Sequence, residues 1–332
     1  LPALFKILLL FAGIMTLYRL KLPLYAALLC VSFCAGLWFE AGAIPTLRIM
    51  ARSMVAPETL FLYAVVILIL GYSNILDKTG ILKGIVEAFS RLFRRSMISG
   101  AALPALIGLL PMPGGAIFSA PMVDAACGPG GGQTPEQKAA VNYWFRHIWE
   151  YWWPLYPGII VASSLFGISV WKMATLHIPL TVVAAAAGYV FILRPSFPAG
   201  ADPADSTRGA HNGNLRNALN RSSSIIITIV VIFGVGKLME TSGLPDIASK
   251  YWPVILGIIL GILWVAVRHR LGAVRTARLL AVRSMGAMFM LAMGVMVFRD
   301  TLTSVNAFAG VQGDLETYNV PVTAVIAALP FI

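Results

Sequence analysis

The sequence predicts an all-α polytopic membrane protein, an inverted-topology repeat with re-entrant helical hairpins and broken helices. Three observations carry this expectation. Of 332 residues, 58% are hydrophobic and 12% are charged, and the mean hydropathy is +0.82. A soluble domain carries about 25% charged residues, so a water-soluble fold would have too little polar surface to cover itself. Apolar runs of membrane-spanning length recur along the chain, each bounded by charge, Pro or Gly. Two further apolar segments are broken internally by Pro and Gly.

The expected spanning helices are Leu1–Leu17, Leu22–Phe39, Leu60–Leu76, Trp171–Leu193, Ser224–Leu238, Trp252–Val267 and Ser284–Phe298. The first run lacks a small-residue cleavage site and is followed by Arg19 and Lys21, so it reads as a span and not as a signal peptide. The chain opens on Leu1 instead of Met, and the expectation is that its natural start lies upstream.

Met97–Leu110 is too short to cross a bilayer of about 30 Å at about 1.5 Å per residue. It meets Pro111-Met112-Pro113-Gly114-Gly115, and a second short run, Ala116–Cys127, follows. Residues 97–127 therefore read as a re-entrant hairpin with its tip at Pro111–Gly115. Non-helical backbone at that depth requires protein or a wet cavity around it. Residues 137–166 are interrupted by Trp153-Pro154-Leu155-Tyr156-Pro157-Gly158 and read as one crossing made of two half-helices. Residues 194–221 form the longest polar stretch, a flexible linker between a first repeat, 1–193, and a second, 222–332.

An internal repeat supports this division. Ala105–Met112 matches Ala324–Phe331 conservatively throughout, each after three spanning helices. The second hairpin then has its first arm and no tip before Ile332, so further sequence is expected. Three helices, a hairpin returning to its own side, one broken helix and one more helix make an odd number of crossings. The second half is then upside down relative to the first, as in many secondary transporters.

Charge sets the orientation. Of 25 Lys and Arg, seven fall on one side: Lys6, Arg48, Arg52, Lys172, Lys237, Lys250 and Arg299. Arg146 lies within a membrane segment, and the remaining seventeen fall on the other side, which the positive-inside rule assigns to the cytoplasm. The protein is expected in a bacterial-type inner membrane, with a periplasmic N-terminus and a cytoplasmic linker. The net charge of +11 is spread between apolar runs and not gathered on one face, which argues against nucleic acid as a partner. Cys30, Cys34 and Cys127 show no zinc spacing and read as small packing residues.

Ionisable groups in lipid are costly and mark function. The richest cluster lies in Asn142–Tyr151. Asn142, Arg146 and Glu150 recur every four residues and share a helix face, and Glu150 is placed to pair with Arg146 or with His147. One reading is a substrate or proton site facing the hairpin tip, with Arg146 holding an anion and Glu150 or His147 carrying a proton. The other is a neutralised ion pair that fixes this helix against a neighbour. At the tip, helix N-termini suit an anion and freed carbonyls suit sodium, so Pro111, Pro113, Gly114, Gly115 and Ser119 are candidates for either. Asn74 and Asp300, near matching positions of the two halves, are further candidates. Glu240, Asp246 and Lys250 read as solvated loop charges. No His-Glu-x-x-His, Gly-rich phosphate loop or Gly-x-Ser-x-Gly site occurs, which argues against zinc, ATP-driven and serine-hydrolase chemistry.

The stretches Leu110–Val123 and Asn142–Tyr151 resemble an uncharacterised integral membrane family of the ion transporter superfamily. That group is related to the arsenite, citrate, gluconate and dicarboxylate permeases. The resemblance extends over nearly the whole chain. It implies an inverted-repeat fold with two re-entrant hairpins, a homodimer, and substrate and coupling ion held between hairpin tips and broken helices. On that analogy Pro111–Gly115 and Ser119 form the first tip and Asn142–Glu150 the helix that follows. The Ser-Asn-Thr tip of the dicarboxylate carriers is absent. The expectation is a secondary transporter, not an enzyme, for a small organic anion, driven by sodium or protons and needing no other cofactor. The rivals are a sodium/proton antiporter, an intramembrane hydrolase using His147 and Glu150, and a non-transporting assembly protein.

Overall fold

In the computed structural model the described residues are 2–90, 96–109, 115–127, 132–197, 214–241, 246–282 and 285–321. Pro111, Pro113 and Gly114, residues 198–213 of the linker and the second hairpin arm lie outside them. The described residues form helices and no strand. In chain order these are α1 (Ala3–Arg19), α2 (Leu24–Trp38), α3 (Ala43–Met54), α4 (Pro57–Lys78), α5 (Ile81–Ser90), α6 (Ser96–Gly108), α7 (Gly115–Cys127), α8 (Pro135–His147) and α9 (Pro157–Phe166). They continue as α10 (Val170–Gly188), a π-helical turn (Tyr189–Leu193), α11 (Arg194–Ser196), α12 (Leu215–Arg221), α13 (Ser223–Glu240), α14 (Asp246–Arg268), α15 (Ala273–Leu280), α16 (Met285–Ser304) and α17 (Ala307–Thr317).

Among the described residues five helical stretches are long and apolar enough to cross a membrane: Pro57–Lys78, Val170–Ser196, Ser223–Glu240, Lys250–Arg268 and Met285–Ser304. The chain is an all-α membrane protein. The expected spans at the N-terminus are helices too, but α1 and α2 have 17 and 15 residues and extend about 25 Å at most. Both stop at residues that cannot prolong them cheaply. Lys21 and Glu40, just past the two C-termini, adopt positive φ, and Pro23 opens α2.

The chain divides into two units. One comprises Leu1–Tyr63 and Gly286–Ile332. Its core joins Leu10 and Ile14 of α1, Ala27, Leu28, Val31 and Ala35 of α2, Phe298 and Leu302 of α16, and Ala307 of α17. Small residues let these helices close up. A Cβ on Gly36 would collide with the Thr46 side chain, and one on Gly294 would sit 3.1 Å from the Tyr25 carbonyl oxygen. Polar links complete the unit: the Leu4 amide donates to Asp314 Oδ2 at 2.8 Å, and Lys6 Nζ donates to the Trp38 carbonyl at 3.1 Å.

The other unit is Ala64–Met285. There α13 and α14 pack along each other, where Gly257 and Gly261 of α14 lie against Thr228 of α13. Lys250 corrects the sequence reading. It is not a solvated loop charge: α14 begins at Asp246, so Lys250 lies within the helix, 7% exposed, and its ammonium donates to the Ser164 carbonyl at 3.3 Å. Part of the expected linker is also ordered as helix, since α11 and α12 occupy its two ends. The π-helical turn after Gly188 leaves Tyr189, Val190 and Phe191 exposed. It returns Leu193 and Phe197 to a buried cluster with Val141 and Phe145 of α8 and Val123 and Cys127 of α7.

Candidate functional site

The Arg146 region is built by α6, α7, α8 and the turn before α9. Helix α8 starts sharply. Thr134 caps it, its hydroxyl accepting from the Gln137 amide while Gln137 Oε1 accepts from the Thr134 amide, and Pro135 fills the first helical position. The Thr134 hydroxyl also holds the Glu136 carboxyl below its ordinary range. The helix ends at His147, seven residues before Pro154, and tertiary bonds account for the stop. Thr181 of α10 donates to the carbonyl of Ile148 at 2.7 Å, satisfying an acceptor that a longer helix would have used internally. Trp149 Nε1 donates to the Ala105 carbonyl at 2.7 Å and Tyr156 Oη to the Gly108 carbonyl at 2.6 Å. Both bonds tie the irregular stretch to α6.

The contact between α6 and α8 is close enough to exclude any side chain at position 108. A Cβ there would coincide with the Arg146 carbonyl oxygen. On the other flank Gly188 lies against Trp144, whose indole donates to the Ala184 carbonyl at 2.8 Å. Trp149, Trp152 and Trp153 stack within 6.0 Å of one another beside the break.

Within this frame Arg146 Nη2 lies 2.9 Å from His147 Nε2, and His147 Nδ1 lies 2.5 Å from the Tyr143 carbonyl. A guanidinium only donates, so in this contact Nε2 is the acceptor, and Nδ1 faces the Tyr143 carbonyl. Glu150 Oε1 stands 3.7 Å from the same Nε2. Of the two pairings the sequence allowed, Glu150 takes the one with His147. The expected common face of Asn142, Arg146 and Glu150 does not extend to Glu150, because the helix has ended by then. Asn142 is on α8, 8% exposed, with Oδ1 buried and without a hydrogen-bond partner; Arg146 Nε is in the same condition.

The remaining candidates separate. Gly115 opens α7, and Ser119, fully buried, donates its hydroxyl to the Gly115 carbonyl at 3.0 Å, which leaves its lone pairs available. Asn74 Nδ2 donates to the Leu279 carbonyl at 2.7 Å and is thereby committed to the end of α15. Asp300, in the other unit, accepts from Ser53 Oγ at 2.6 Å, beside an Arg299–Glu58 pair at 2.9 Å. Sequence reasoning missed that Arg299–Glu58 pair. The signal available was an arginine directly at the end of an apolar run, where a carboxylate partner is favoured. His147 and Glu150 are two possible metal ligands, and among the described residues no third His, Cys, Asp or Glu joins them.

A family model described as a protein of unknown function (DUF401) matches residues 3–204, well over half of the chain. No curated protein matches it, and no solved structure does.

Proposed function

The chain belongs to the family of unknown function DUF401, and from that premise we propose that it is a secondary active transporter of a small organic anion, coupled to protons or sodium. The observation that carries this reading is the end of α8. There Arg146, His147 and Glu150 meet at a break within an apolar segment, beside buried polar atoms that lack partners. Ionisable groups and irregular backbone inside an apolar region are the common parts of transporter binding sites.

The hydrogen-bond pattern supports a coupling step. In this arrangement His147 accepts from Arg146 through Nε2. When Nε2 takes up a proton it can no longer accept. It then turns from repelled Arg146 toward Glu150, 3.7 Å away. The guanidinium is released to bind a carboxylate or similar anion bidentately. One proton taken up thus exposes one anion-binding group, which is the behaviour of a proton-coupled symporter. Sodium coupling would draw on Ser119 and carbonyls near Gly115 and the Pro111–Gly114 tip.

The rest of the proposal is architectural. Residues 1–193 and 222–332 would form inverted repeats, α6 and α7 the arms of the first re-entrant hairpin, and 194–221 a cytoplasmic linker in the inner membrane of a homodimer. Helices of 13 residues each, about 20 Å long, support the hairpin, since neither spans a bilayer. The second reading, a sodium/proton antiporter, is favoured by the same titratable His147–Glu150 pair without need of an organic solute.

Thermal unfolding of the purified protein, screened with organic anions with and without sodium and across pH, tests the proposal. A ligand bound only by the folded state adds about 2.7 kcal/mol at a hundredfold excess over Kd. Stabilisation by one anion class, absent in Arg146→Ala, is expected. Stabilisation by sodium or pH alone moves the assignment to the antiporter, and no response to any solute removes the transporter reading.

A further inference from the structure

A cavity of about 310 Å³ lies away from the α8 cluster, where α4 passes into α5 and where α12, α13 and α14 present their ends. Arg221 closes α12, Arg268 closes α14 and His269 follows it, and Asn217, Asn220 and Ser224 are among the other polar lining residues. No Asp or Glu lines the cavity, and neither arginine has an ion-pair partner among the described residues. The chain positions these groups closely. Arg221 lies along α5, so that a Cβ on Gly84 would come within 2.6 Å of Nη1. Ser224 is 2% exposed, and its hydroxyl, close to that of Tyr72, makes no well-formed hydrogen bond.

Two arginines and no carboxylate line this cavity, so its wall carries positive charge that an anion would offset. The lining can supply many donors: five N–H on each guanidinium, the NH₂ of two side-chain amides and the hydroxyls of Thr79, Ser223 and Ser224. Planar forks with amides beside them match the several oxygens of a phosphate group, each of which accepts more than one hydrogen bond. We propose that this cavity is a phosphate-binding site, distinct from the anion site at Arg146 and independent of whether that site transports. Its place in the chain supports an interfacial level. Arg268 ends a helix long enough to span a membrane, and Trp264, one turn earlier, donates to Ser223 Oγ at 2.9 Å, in the manner of residues at the headgroup boundary. The phosphate is supplied by an anionic lipid headgroup or by a soluble phosphate.

The test is thermal unfolding of the full chain in detergent, titrated with phosphatidylglycerol, phosphatidylcholine or inorganic phosphate, with chloride holding ionic strength constant. The wild type is expected to be stabilised by a phosphate probe beyond chloride. Arg221→Gln/Arg268→Gln is expected to weaken that apparent affinity about tenfold or more, whereas Lys172→Gln/Lys237→Gln, with the same loss of charge elsewhere, leaves it unchanged. A response to phosphatidylglycerol over phosphatidylcholine identifies a lipid site, and a response to inorganic phosphate a soluble one. If the double arginine variant does not fold, Gly84→Ala carries the test, because it displaces the Arg221 guanidinium while keeping its charge. Equal responses to phosphate and chloride, or wild-type affinity in whichever of these variants is measured, overturn the proposal.

Discussion

Gly108 and Arg146 are in backbone contact: the space a side chain would need at position 108 is already filled by the Arg146 carbonyl oxygen. The helix that carries the candidate anion-binding group is therefore seated on α6 through main chain, which cannot rotate away as a flexible side chain can.

Gly108→Ala should accordingly force the two helices apart, at a cost of about 1–3 kcal/mol. Gly234→Ala makes the useful comparison, since nothing lies within 4 Å of a Cβ there. It should be neutral or stabilising by up to about 1 kcal/mol from helix propensity. Thermal unfolding of the two variants in the same detergent checks the contrast, and equal effects would contradict the contact.

Tyr156→Phe removes only the hydroxyl that donates to the Gly108 carbonyl at 2.6 Å. A loss of about 0.5–1.5 kcal/mol is expected. Trp149→Phe, which removes the donor to Ala105, should interact with it non-additively, because both bonds anchor one short segment. A double-mutant cycle on unfolding free energy measures that coupling.

Arg146→Ala should reduce uptake into proteoliposomes by about tenfold or more while leaving membrane insertion unchanged. His147→Gln keeps a hydrogen-bonding side chain but cannot titrate. Its uptake should lose the acceleration that an imposed proton gradient gives the wild type, and retained acceleration would remove His147 from the coupling step. Normal uptake in Arg146→Ala would remove this arginine from the site.

Arg299→Ala should cost more than the double change Arg299→Ala/Glu58→Gln, because the single change removes the 2.9 Å cationic partner while keeping the carboxylate charge. With both partners about one quarter exposed, solvent screens the pair, and the single variant should lose about 1–2 kcal/mol. Chemical unfolding of the single and double variants compares them.

Much of this architecture was legible because Pro and Gly punctuate an apolar chain. Helix α9 opens at Pro157, inside the Trp153–Gly158 stretch that announced a break, although the interruption already begins after His147, and α6 and α7 are as short as the flanking Pro-Gly run implied. The unforeseen helices fail a different test. Helix α3 carries Arg48 and Arg52, and α15 carries Arg275 and Arg278, so their amphipathic faces broke the apolar runs by which spans are recognised. Lys250 was misplaced because a lysine before an apolar run reads as its boundary, whereas the helix begins a turn earlier and buries it. The end of α8 was invisible for a physical reason. What stops it is Thr181, more than thirty residues away, and no local residue signals that bond.

The π-helical turn at Tyr189–Leu193 gives this region a residue count that cannot change freely. Each residue advances a helix by about 100°, so a chain shorter by one here would run as a plain helix with Phe197 swung off the α7–α8 cluster. Related chains that keep Phe197 seated should keep the extra residue as well, and those without it should carry a small residue at that position. Length in this stretch and the seating of the side chain eight residues downstream of Tyr189 should therefore change together, as a single trait.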